Sequence, residues 1–205
     1  MQNEGFSEDH LDVLRELMNI AMGNATASIA DLLDAFGKMH IPEIVVSDMQ
    51  GLDEYIKRTI KPDCQCYATK QLFSGIFSGE FLFLIPKESA HNLGNHLYNI
   101  ESPSEGDILD AVIELTNILS ATMISRLTEE LNTKVQFFVP TTQLVNTGEL
   151  ISPDDLINYH KIIIISTVME FEEQQISGHI FILTKDSMID NLKSLIDKKI
   201  EELFG

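Results

Sequence analysis

One constellation of residues occurs twice in this chain. Asp12, Glu16 and Asn19 in DVLRELMN share their spacing with Asp110, Glu114 and Asn117 in DAVIELTN. In each copy a proline, Pro42 or Pro140, follows the asparagine after twenty-two intervening residues. With each residue type near one in twenty, a chance second copy is on the order of one in a thousand. The likeness continues: SGEFLFLIPKESAHNL from Ser78 parallels SGHIFILTKDSMIDNL from Ser177. The offset of about a hundred residues holds throughout, so the repeat is a duplicated unit and not a short-period solenoid.

Each copy reads the same way. A long helix comes first, at roughly 8–36 and 107–133. Strands follow at 41–50 and 134–147, with alternation clearest in VQFFV. A variable connection comes next, GLDEYIKRTIKPD or ELISPDDLINYH. A hairpin spans roughly 64–85 and 161–184, and its KIIIIST run reads as buried on both sides. A helix closes each half, at roughly 87–99 and 185–203. The linker is IESPSEG at 100–106, where Ser, Pro and Gly break the periodicity. Three strands and two helices leave a sheet edge open, so neither half is self-sufficient. One sheet built from both halves about a pseudo-two-fold closes that edge. The expectation is a single domain over 1–205, made of repeats at about 8–99 and 107–204.

With 205 residues, 44% hydrophobic and 22% charged, the chain can bury one sizeable core. No apolar run reaches membrane-spanning length. MQNEGFSEDH lacks a basic region followed by an apolar one, so no signal peptide is expected and the cytosol is the expected compartment. The net charge of -18 argues against nucleic acid and anionic membrane surfaces as partners, and favours partners with exposed basic groups or a bound cation. Cys64 and Cys66 in CQCYA would share one face of a strand; two thiols make neither a structural zinc site nor a cytosolic disulfide. The six histidines include no HExxH, and there is no GxSxG or phosphate-cradling glycine loop. A self-contained metal, serine or nucleotide enzyme is therefore disfavoured.

At about 100° per residue, Asp12, Glu16 and Asn19 fall on one helical face. Leu14, Leu17, Met18, Ala21, Ala25 and Leu32 fall opposite, so the trio points to solvent. Gly23 lies on the trio's face one turn on, and Ala121 has that phase in the second copy. A mid-helix glycine costs about 1 kcal/mol relative to alanine. That cost is understandable if something approaches closely there; otherwise Gly23 is drift. Pro42 and Pro140 stand where the chain enters the first strand, a structural role.

The pattern Asp/Ser, three residues, Glu, two residues, Asn, twenty-two residues, Pro resembles the signature of the CheC/CheX/FliY phosphatases of bacterial chemotaxis. NIAMGNA and NILSATM are similar to that family's segments. Two copies in a chain of this length look most like the CheC type; CheX-like chains are shorter with one site, and FliY-like chains add a flagellar-switch domain. The resemblance implies an α+β fold, an α/β sandwich of two pseudo-symmetric halves. These would form one continuous, mainly antiparallel sheet with both signature helices on one face. It implies hydrolysis of the aspartyl phosphate of a CheY-like response regulator. Glu16 with Asn19, and Glu114 with Asn117, would be catalytic pairs. Asp12 and Asp110, one turn out, would add docking contacts. No metal of the chain's own is implied, because the regulator supplies Mg²⁺. The duplication favours a monomer, and CheD stays open as a second partner. The alternative reading is a non-enzymatic interaction protein that docks a response regulator, CheD or a flagellar switch.

Overall fold

The structure is a computed structural model of the chain, and it describes residues 6–60, 64–147, 150 and 162–204. The connection ELISPDDLINYH lies, apart from Leu150, outside the described residues. The first half runs α1 (Glu8–Leu33), β1 (Lys38–Met39), β2 (Glu43–Ser47), α2 (Met49–Thr59), β3 (Gln65–Gly75), β4 (Gly79–Pro86) and α3 (Lys87–Tyr98). The second runs α4 (Glu105–Glu130), β5 (Val135–Phe137), β6 (Thr141–Asn146), β7 (Ile162–Phe171), β8 (Ile176–Lys185) and α5 (Asp186–Phe204).

Local chemistry starts both long helices alike. Ser7 accepts from the backbone N–H of His10, whose ring accepts from the Ser7 N–H in return. Ser104 accepts from the Asp107 N–H, and the Asp107 carboxylate accepts from the Ser104 N–H. These reciprocal caps satisfy backbone donors that a helix start leaves open, worth about 1 kcal/mol each. The Ser104 hydroxyl and N–H hold the Asp107 carboxyl below its ordinary range. α4 therefore begins at Glu105, inside the segment expected as linker.

The eight strands form one antiparallel sheet. β1 and β2 both pair with β7, followed by β8, β4 and β3, with β5 and β6 both along β3. The halves interleave: β1 and β2 of the first pair with β7 of the second, β5 and β6 of the second pair with β3 of the first, and at the centre β4 pairs with β8, with Leu82 opposite Phe181. Leu82 is the fifth residue of SGEFL and Phe181 the fifth of SGHIF, so equivalent positions of the repeat face each other at the centre. The pairing closes the open edge that each half would otherwise present. The glycine of each SG is demanded by packing. A Cβ on Gly79 would collide with the Leu183 carbonyl, and one on Gly178 with the Phe83 ring.

Strand alternation divides the apolar residues between two cores. Ile163 and Ile165 join Phe81, Phe83, Ile180 and Ile182 beneath α1, α3, α4 and α5. Ile162 and Ile164 join Leu84, Ala68 and Phe181 on the other face, covered by Leu52, Tyr55 and Ile56 of α2. Of KIIIIST, Ile162 to Thr167 are buried on both faces as expected, and the leading lysine lies outside the described residues. The helix α2 was not expected, because GLDEYIKRTIKPD reads as a connection. Leu52, Tyr55 and Ile56 nevertheless carry helical spacing, and the Asp48 carboxylate caps the start by accepting from the Gly51 N–H (2.7 Å). The strands expected at 41–50 and 134–147 are shorter, and the second is divided just before Thr141. One further expectation fails. α4 is long and apolar enough by length and composition to cross a membrane. Here it is a core helix, with Ala111, Val112, Leu115, Leu119, Met123 and Leu127 fully buried.

Candidate functional site

Burial of one stripe fixes what each long helix presents outward. In α1, Leu14, Leu17, Met18, Ala21 and Ala25 are buried and Leu32 is half-buried, while Asp12, Glu16, Asn19 and Gly23 are exposed. In α4, Ala111, Val112, Leu115, Thr116 and Leu119 are buried, while Asp110, Glu114, Asn117 and Ala121 are exposed. Each helix thus carries carboxylate, carboxylate and amide along one solvent-facing strip. Asp12 accepts from Arg15 (2.5 Å) one turn away. A Cβ on Gly23 would meet nothing of the chain within 4 Å, so no internal packing demands glycine there. Pro42 is buried immediately before β2, and Pro140 half-buried immediately before β6.

The surroundings of the two asparagines differ. Gln71 of β3 is buried beneath α4, and its amide nitrogen donates to Asn117 Oδ1 (3.2 Å) and to the Phe138 carbonyl (2.9 Å). The buried Ser120 hydroxyl donates to Gln71 Oε1. For the α1 strip, Thr167 of β7, contributed by the second half, takes the place of Gln71. Gln71 lies opposite Phe81 and Thr167 opposite Ile180, each partner being the fourth residue of its SG segment. Thr167 donates to the His40 carbonyl (2.6 Å), and His40, like Phe138, stands two residues before the proline. Met22 occupies the position of Ser120, and Asn19 makes no side-chain hydrogen bond among the described residues. Sequence reasoning missed Gln71 and Ser120. The available signal was a long polar side chain at an inward position of β3, between Tyr67 and Phe73.

The strip on α4 runs beside Tyr98 of α3. Burial raises the Tyr98 phenol, and the carboxylates of Glu114, Asp110 and Asp107 raise it further. The thiols lie apart from both strips. Cys64 and Cys66 are free, and burial, then Cys64, pushes Cys66 up to about 12, so it is an inert thiol at neutral pH. Among the described residues, no three His, Cys, Asp or Glu side chains converge to hold a metal ion. What each strip offers is an acceptor carboxylate and a donor–acceptor amide, both exposed to solvent.

No family model matches the chain. By sequence it is 25% identical over 192 residues to the CheY-P phosphatase CheC of Bacillus subtilis (strain 168), covering 87% of this chain and 90% of that one. By fold it is similar to FliY of Thermotoga maritima, with a TM-score of 0.73 at 15% identity over 95% of this chain and 99% of that one. The FliM middle domain from Vibrio alginolyticus gives a TM-score of 0.62 at 13% identity, over 89% of this chain and 99% of that one. At such identities the two structures speak for the fold, and the CheC relation carries the sequence kinship. By sequence the chain is thus similar to a CheC protein, and by fold to FliY, FliM and CheX proteins.

Proposed function

We propose that this chain is a phosphatase that hydrolyses the aspartyl phosphate of a CheY-like response regulator in the cytoplasm. The observation that carries the reading is the pair of exposed Glu–Asn strips, Glu16 with Asn19 and Glu114 with Asn117, on equivalent helices of a duplicated fold. The kinship to a CheY-P phosphatase supports it.

The chemistry asks little of the phosphatase. An aspartyl phosphate is an activated acyl phosphate, and the regulator holds Mg²⁺ and a lysine around it. Water attacks phosphorus, the bond from phosphorus to the carboxylate oxygen breaks, and inorganic phosphate and a free carboxylate result. Such transfer depends on positioning and charge stabilisation. Asn19 or Asn117 enters the regulator's site and holds the water in line with the breaking bond. An amide both donates and accepts, so it orients water without changing protonation. Glu16 or Glu114 pairs with the regulator's lysine and sets the helix in register. Asp12 and Asp110 add docking contacts one turn out, and the small residues Gly23 and Ala121 let the partner approach the following turn. Pro42 and Pro140 fix the entry into the next strand. The chain acts as one domain of two repeats and as a monomer.

The test is phosphate release from a phosphorylated CheY-like regulator with and without this protein. Accelerated release supports the reading, and release at the regulator's own rate overturns it. The likeness to a FliM middle domain favours a second reading, a protein that binds a regulator or the flagellar switch without chemistry. Binding without acceleration would establish that one.

A further inference from the structure

We propose that Gln71 is a positioning residue that fixes the amide of Asn117, so that the second strip is the faster catalytic site. This rests on the phosphatase reading above. The argument begins with an atom that can only accept. The Phe138 carbonyl takes a hydrogen bond from Gln71 (2.9 Å), so the Gln71 nitrogen, not its oxygen, must face it. The Gln71 oxygen is then turned to Ser120, whose hydroxyl donates to it. The same Gln71 nitrogen faces Asn117, which must therefore present its oxygen (3.2 Å). The orientation of Asn117 follows: Oδ1 toward the protein, Nδ2 toward the partner.

Gln71 can act as such a clamp because it is itself immobile. It is 5% exposed, on a strand paired along both sides, with both ends of its amide occupied. The first site has no such device. Thr167 is too short to extend past the His40 carbonyl, to which it donates. Met22 offers no hydroxyl, and Asn19 is exposed with no partner among the described residues. Asn19 can turn its amide over freely, so it must be ordered each time a water is held. Ordering in advance is what separates a positioned group from one that is merely nearby.

The experiment uses the full chain and two readouts. Side-chain amide relaxation by NMR compares Asn117 with Asn19, then repeats the comparison in Gln71→Thr, which installs the residue that β7 carries at the equivalent position, and in Gln71→Met, which keeps length and cannot donate. Kinetics compare the same two variants in an Asn19→Ala background, where only the second strip can act. Expected are a rigid Asn117 and a mobile Asn19 in the parent, and a mobile Asn117 in both variants. Expected too is a fall in kcat of about 10- to 100-fold with KM little changed. A purely structural role for Gln71 would lower thermal stability without this split. An Asn117 amide as mobile as Asn19 in the parent overturns the proposal. So does a kcat within about two-fold of the Asn19→Ala background in both variants. If the parent itself shows no phosphatase activity, the function reading falls, while the relaxation data still decide whether Gln71 fixes Asn117.

Discussion

Phe181→Ala should cost about 4 kcal/mol of stability and leave the proposed phosphatase activity, per folded molecule, unchanged. Phe181 is 1% exposed, at the centre of the sheet where β8 pairs with β4, and its ring meets Tyr55 edge-on at 6.1 Å. Truncating a buried phenylalanine costs about 3–5 kcal/mol, and the value within that range depends on how far the neighbours collapse. Here they are held. The Tyr55 hydroxyl donates to Glu43 (2.6 Å) and is hydrogen-bonded to Ser166 (2.6 Å), so the ring most able to fill the gap is pinned. The gap therefore stays open, which places the cost in the upper half of the range. For a chain of this size the shift in Tm is on the order of 10 °C. Phe181 lies on the α2 face, while α1 and α4 pack on the other, so the Glu–Asn strips are not disturbed. Equilibrium unfolding in urea measures the cost, and phosphate release at matched folded concentration measures the site. A loss under about 1.5 kcal/mol would refute the pinned-neighbour reasoning. A large fall in rate per folded molecule would refute the separation of the two faces.

Three further outcomes follow from other residues. Gly23→Ala should raise helix stability by about 1 kcal/mol, since its methyl meets nothing of the chain, and should slow the first site if a partner approaches there; thermal melts and kinetics in an Asn117→Ala background measure both. Burial lowers the His179 pKa from its ordinary 6.5, opposed in part by Glu170. The unfolded chain therefore binds this proton more readily, so the contribution of His179 is fully present above about pH 6.5 and is lost as pH falls toward the lowered folded value. His179→Gln should flatten the dependence of stability on pH below about 6.5, and an unchanged slope in urea titrations would count against it. If Glu16 and Glu114 dock a regulator as proposed, association should weaken from low to high salt, because exposed charges on a chain of net charge -18 are screened; titration calorimetry across ionic strength tests this.

How much of this was legible in the sequence depended on periodicity. The duplicated spacing and the KIIIIST run were strong signals because each recurs or extends over several residues, and the sheet joins the halves as they implied. Leu14 to Ala25 carried a clean helical stripe, so the outward face of Asp12, Glu16 and Asn19 could be derived before any coordinates. α2 was missed because only Leu52, Tyr55 and Ile56 mark its buried face, within a short segment rich in charge that ends in Lys-Pro. The apolar character of α4 was undervalued because isolated carboxylates interrupt it, and tertiary packing decides that it is core. The Gln71–Asn117 bond joins residues 46 positions apart in sequence, across a strand and a helix whose docking no local pattern encodes.

The central claim, that Asn19 and Asn117 hold the attacking water, is met most directly by phosphate release in the double variant Asn19→Ala, Asn117→Ala. Alanine favours helix over asparagine, so both helices should persist, as circular dichroism would show. Loss of a positioned hydrogen-bonding group typically costs on the order of 10² to 10³ in rate. The account predicts a folded double variant that still binds the phosphorylated regulator through Glu16 and Glu114 but accelerates its decay at least a hundred-fold less than the parent, by that same scale. A folded double variant that releases phosphate at the parent rate would contradict it.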